Sequence, residues 1–194
     1  MARLAMVSEA GMDADQRAAC REAMEGARGK VPTPMIAWIR NAEFARRGQK
    51  LGELLRFQTT LEPRLSELAI LVCGRHWTSH HEWTAHKREG LKAGLAPEVI
   101  AAIAKRRPPR LPDVRQKAVY EVSTALLSAG RIRSDLYARG VEALGERGMV
   151  ELVGILGYYS LVALTLNAFE LGLPEGAAPE LDDPDFIARD GSDT

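Results

Sequence analysis

Residues 64–94 read RLSELAILVCGRHWTSHHEWTAHKREGLKAG, and the rest of the chain is interpreted from this stretch. Leu65, Leu68, Ala69, Leu71 and Val72 form an apolar run at helical spacing; a polar break follows at Trp77-Thr78-Ser79. A second helical pattern then carries Glu82 and His86, four residues apart and therefore on one helix face. The stretch holds all four histidines of the chain, His76, His80, His81 and His86, beside Glu67 and Glu82. Residues of these types can move protons near neutral pH, so any chemistry of this chain is expected here.

Working outward, helical periodicity recurs and strand alternation hardly appears, which predicts an all-α fold. Helices are expected over residues 13–29, 35–47, 49–57, 61–74, 79–94, 96–104, 113–129, 134–144 and 148–171. Pro63 suits a first helical turn, Gly94 and Gly130 suit left-handed helix ends, and Asp113 and Ser134 suit N-caps. The last helix is apolar nearly all round, which places it at the centre of a bundle or against another subunit. Three regions follow: an N-terminal helical arm over residues 1–57, a helical domain over 58–172 and a proline-, glycine- and acid-rich tail over 173–194. The tail composition predicts a mobile or loosely docked segment.

Composition narrows the function classes. With 26 basic and 26 acidic residues the formal net charge is zero, which argues against a nucleic-acid surface. The one basic run, Ala104 to Arg110, contains two prolines and reads as a solvated connection. Cys20 and Cys73 form neither a CxxC pair nor a disulfide framework. No signal peptide and no membrane span is read from the pattern, so the expected compartment is the cytoplasm. The histidine cluster permits an N/O metal site, but the break at Ser79 separates His76 from the others, and neither a metal nor a cofactor is expected.

Three segments carry a family resemblance: Arg64-Leu65-Ser66-Glu67-Leu68-Ala69-Ile70-Leu71, then Ser79-His80-His81-Glu82-Trp83-Thr84-Ala85-His86, then Ala93-Gly94-Leu95 with Ile100-Ala101-Ala102-Ile103. Together with Gly157-Tyr158-Tyr159 and Leu166-Asn167, they resemble the carboxymuconolactone decarboxylase family, which shares the all-α fold of the alkylhydroperoxidase D proteins. The resemblance spans about residues 61–172. It implies a carboxy-lyase acting on a small carboxylate or lactone, and assembly as trimers or hexamers. The peroxidase branch of that superfamily uses a glutamate, a CxxC pair and a histidine; matched on Glu67 and His86, its cysteine positions here hold Ser79 and Glu82. A thiol peroxidase needs a low-pKa thiolate, so the sequence favours proton transfer over redox chemistry.

The resulting candidates are Glu67, His86 and Glu82 as catalytic groups, with Ser79, His80, Trp83, Tyr159 and Arg75 around the substrate. Other readings stand beside these. Ser79-x-x-Glu82 matches a capping box, which would tie Glu82 to backbone donors. Glu67 could pair with Arg64, Arg75 or Arg88 as a structural ion pair. Trp77, Trp83, Tyr158 and Tyr159 suit core packing as well as a pocket wall. A non-catalytic binding protein on the same fold is also compatible with the sequence.

Overall fold

The computed structural model describes residues 2–173 and 176–184. Among these the regular elements are helical, as expected: a short 3-10 turn at Glu9–Gly11, then α1 (Ala14–Glu25), α2 (Met35–Trp38), α3 (Ala42–Phe57), α4 (Pro63–His76), α5 (His80–Lys92), α6 (Pro97–Ala104), α7 (Val114–Ala129) and α8 (Ser134–Ala168). Residues 174–175 and 185–194 of the expected tail lie outside the described residues.

Local chemistry accounts for most helix starts. Asp13 and Gln16 close a reciprocal capping box on α1 at 2.8 and 3.0 Å. Asn41 accepts from the Phe44 N–H at 3.1 Å and starts α3. Asp113 caps α7 by accepting from the Arg115 and Gln116 N–H groups, while Gly130 ends that helix at φ 70°.

Two starts differ from expectation. The helix expected over 35–47 is divided, because Asn41 offers the backbone a cap and α3 then runs unbroken through Gly48, whose missing side chain leaves room for the Trp38 ring. Ser134 is the first residue inside α8 and provides no cap; Arg133 precedes it and makes no side-chain capping bond. The expected helices over 134–144 and 148–171 form one kinked element, with Gly145 at φ 73° at the kink.

Helix α4 is the centre of the fold. Every residue from Leu65 to Arg75 is buried, and α5, α7 and α8 all pack on it. Leu65, Leu68, Leu71, Val119, Val122, Leu152 and Ile155 fill the space between them. Each such side chain contributes about 1.5–3 kcal/mol on burial. The arm packs onto the same core: Trp38 donates its indole N–H to Thr165 Oγ1 at 3.0 Å and meets the Tyr158 ring edge-on at 6.2 Å.

Helix α8 buries one side only, through Leu152, Ile155, Leu156, Tyr159 and Val162, and leaves Val150, Val153, Leu161 and Leu164 exposed. By length and composition it could cross a membrane, contrary to the sequence reading. However, 56% of its most apolar window is buried against other helices, as in a core helix.

Asp113 also accepts a 2.8 Å salt bridge from Arg64, so it links α7 to α4. Replacing Asp113 with Ala is expected to lower stability by about 1–2 kcal/mol. Urea denaturation checks this, with an unchanged m-value and a lower midpoint as the expected result.

Candidate functional site

The α4–α5 hairpin is set by backbone geometry before any functional side chain is placed. α4 ends with Thr78 at φ 48°, the Ser79 N–H bonding back to the Gly74 carbonyl at 2.9 Å and the Thr78 N–H to that of Arg75. This is a Schellman stop with threonine in the position that favours glycine. A β-branched residue there is strained, and the Thr78 hydroxyl is held by two guanidinium donors, Arg75 Nη1 at 2.9 Å and Arg106 Nη2 at 3.1 Å. The chain returns as α5, which approaches α4 closely at Gly90. A Cβ there would lie 3.0 Å from Leu95 Cδ1, 3.3 Å from Leu71 Cδ1 and 3.8 Å from Glu67 Cβ.

Across this hairpin His86 Nδ1 and Glu67 Oε2 are 2.7 Å apart, with both residues buried. The structural ion pairs considered for Glu67 are therefore replaced by a histidine partner. An ionised Glu67 accepts from Nδ1–H, which fixes the imidazole orientation and leaves Nε2 for a second partner. The Tyr159 ring meets the His86 ring edge-on, with centroids 5.0 Å apart and planes at 87°.

Glu82 is 2% exposed, and neither of its carboxyl oxygens has a hydrogen-bond partner among the described residues. Burial, and secondarily the nearby charge of Glu67, pushes its pKa well above the usual carboxylate value, which favours its protonated form. The capping box does not form: Ser79 precedes α5 without a side-chain bond, and its hydroxyl is buried without a partner. Tyr159 is likewise buried with an unpartnered hydroxyl, and burial raises its phenol pKa. Unsatisfied buried polar atoms are uncommon in proteins, and here they include those of Glu82, a helical turn before His86, and the hydroxyl of Tyr159, whose ring meets that histidine.

Of the expected site residues, Glu67, Glu82, His86 and Tyr159 come together. Trp83 is 1% exposed in the core, with its indole N–H unpartnered. His80 and Arg75 turn toward the described part of the tail: His80 Nε2 lies 3.2 Å from Asp183 Oδ2, and Arg75 donates to the carbonyls of Ala104 and Asp182. Leu181 is buried and Lys87 pairs with Glu180 at 2.5 Å, so residues 180–183 lie along α5. Arg64 bonds Asp113, away from the histidine. Among the described residues no three His, Cys, Asp or Glu side chains converge as a metal site.

Cys73 has its thiol against the Leu156 carbonyl and the Ser160 hydroxyl, and burial pushes its pKa up to about 12. A thiol in that state provides no thiolate at neutral pH.

Two groups were missed by the sequence reading as site candidates. Arg28, in the turn after α1, has Nε and Nη2 buried without an acceptor, and Gln49 on α3 is 1% exposed with an unpartnered amide oxygen. Neither position has a motif, and both reach the interior only because the arm folds back onto α8.

Neither a protein-family model nor a curated protein matches this sequence. Among solved structures, the chain is similar to a protein of unknown function from Agrobacterium tumefaciens that is provisionally described as the antioxidant defence protein AhpD. The TM-score is 0.63 at 14% identity, covering 70% of this chain and 93% of that one. Such a likeness establishes an AhpD-like helical fold.

The raised pKa of Glu82 gives a signed pH dependence. Unfolded, it ionises in the ordinary carboxylate range; folded, it keeps its proton to higher pH. Across that interval the native state binds more protons than the unfolded state, so stability is retained at low pH and lost as pH rises toward the folded value. As pH rises above the ordinary carboxylate range, wild type is expected to lose more stability than Glu82→Gln in urea titrations. Equal slopes would mean that Glu82 is ionised in the native protein.

Proposed function

We propose that this chain is a proton-transfer enzyme, decarboxylating or isomerising a small lactone or keto acid. The observation that carries the reading is the buried 2.7 Å Glu67–His86 pair, with the buried, unpartnered carboxyl of Glu82 one turn before His86 and the Tyr159 ring against it. When an acid with a suitably placed carbonyl loses CO2, the electrons of the breaking C–C bond pass into that carbonyl and form an enolate. The enzyme must stabilise the developing oxyanion and return a proton to carbon.

Protonated His86 delivers that proton from Nε2, while Glu67 holds the ring and balances the imidazolium charge. Glu82, kept neutral by burial, donates a hydrogen bond to the enolate oxygen, as does the Tyr159 hydroxyl. For an isomerisation the same groups act in the order base, then acid: His86 removes the proton α to the carbonyl and returns it elsewhere.

The thiol-peroxidase alternative is less well supported, since Ser79 and Glu82 occupy the cysteine positions and Cys73 is a buried, high-pKa thiol. A cytoplasmic homo-oligomer, trimer or hexamer, is part of the same proposal. The exposed stripe Val150, Val153, Leu161 and Leu164 on α8 is its natural contact surface.

The test is CO2 release and substrate loss over a panel of lactone acids and β-keto acids, including carboxymuconolactone. Wild-type turnover is expected to fall about a hundredfold or more in Glu67→Gln and in His86→Ala, and to survive in a Cys20→Ser, Cys73→Ser protein. Undiminished turnover in the Glu67 and His86 variants would eliminate the proposal. Peroxide reduction that depends on Cys73 would replace it with thiol chemistry.

A further inference from the structure

The N-terminal arm brings a cation to the edge of this site. The α1 helix ends at Glu25, and a turn follows in which the Gly29 N–H bonds the Gly26 carbonyl at 3.0 Å, with Gly29 at φ 64°. The Ala27 N–H donates to Glu53 on α3 at 3.0 Å, which fixes the turn against that helix. Arg28 between them sends its guanidinium inward. A Cβ on Gly52 would overlap the Tyr158 hydroxyl and lie 2.8 Å from Arg28 Nη2, so these two groups meet in the space the missing side chain leaves. The Tyr158 ring is 5.3 Å from that of Tyr159, which in turn is 5.0 Å from that of His86.

Arg28 makes no salt bridge among the described residues, and its Nε and Nη2 are buried without an acceptor. Leaving guanidinium donors buried and unpaired is costly, whereas a carboxylate accepts two of them in parallel. The other nearby arginine, Arg56, lies 4.0 Å from Glu89 and so is already partnered.

We infer that Arg28, beside the Tyr158 hydroxyl, binds a carboxylate of the substrate, so that the arm selects small organic anions for the Glu67–His86 site. The assignment of this anion as substrate rests on the proton-transfer reading. The carboxylate at Arg28 is one the reaction retains, because a cation on a departing carboxylate would stabilise the ground state and slow loss of CO2. A decarboxylated substrate therefore carries a second carboxylate, and an isomerised one carries at least this one.

The experiment is isothermal titration calorimetry of the full chain with levulinate, a keto acid that does not lose CO2 readily, and with methyl levulinate, its uncharged ester. Wild type is expected to bind the acid at least about tenfold more tightly than the ester. Arg28→Gln should lose about tenfold or more for the acid and leave the ester unchanged, whereas Arg110→Gln, at an exposed arginine, should change neither. Arg28→Lys, which keeps the charge without the fork, should fall between. Gly52→Ala provides a second route to the same loss without removing the charge, should Arg28→Gln fail to fold.

Equal binding of acid and ester by wild type, or acid binding unchanged in both Arg28→Gln and Gly52→Ala, overturns the inference. Turnover that survives Arg28→Gln with unchanged KM also overturns it, yet leaves the proton-transfer reading intact. Arg28-dependent levulinate binding by a protein whose turnover ignores Glu67 and His86 leaves the carboxylate site and removes that reading.

Discussion

The close approach of α4 and α5 is the constraint on which the rest depends. Gly90 removes the side chain that would otherwise meet Leu71 and Leu95, and the 2.7 Å Glu67–His86 contact is made beside it. A carboxylate and an imidazole in an apolar layer are tolerated only when they satisfy each other, since an unpaired buried charge costs several kcal/mol. The strained Thr78 turn serves the same geometry by reversing the chain in three residues, and its strain is offset by the hydrogen bonds from Arg75 and Arg106.

The interior also holds polar groups that are incompletely bonded. The carboxyl of Glu82, the hydroxyl of Tyr159, the amide oxygen of Gln49 and two nitrogens of Arg28 are buried without partners among the described residues. A core evolved for stability alone would replace such groups with apolar ones of similar size. Of these, Glu82 lies one helical turn before His86 and the Tyr159 ring meets the imidazole of that histidine.

The fold is AhpD-like, and the chemistry it supports is set by the residues it carries. In the α4–α5 hairpin this chain carries the Ser79 hydroxyl and the Glu82 carboxyl, both buried and without partners among the described residues. The one nearby thiol, Cys73, faces α8 and is held in its protonated form by burial.

The sequence by itself determined what depends on neighbours a few residues apart. The helical class, the Asp113 cap, the glycine stops at Gly94 and Gly130 and the Glu67/Glu82/His86 spacing follow from periodicity and local hydrogen bonding. The left-handed conformations of Thr78, Arg106 and Glu170 just past helix ends were not legible, because non-glycine residues occupy that position and tertiary contacts hold them there. The division of residues 35–47 turned on Asn41 and on the packing of Gly48 against Trp38. Only the tertiary structure decided that Glu82 leaves the cap and enters the core, that Arg64 and Arg75 are engaged elsewhere, and that the half-buried Arg28 turns two guanidinium nitrogens inward beside Tyr158. Whether a carboxyl is solvated or neutral, and whether an arginine meets water or a tyrosine, depends on groups tens of residues away in sequence. Residue spacing records the face a side chain occupies, and packing alone determines what lies opposite that face.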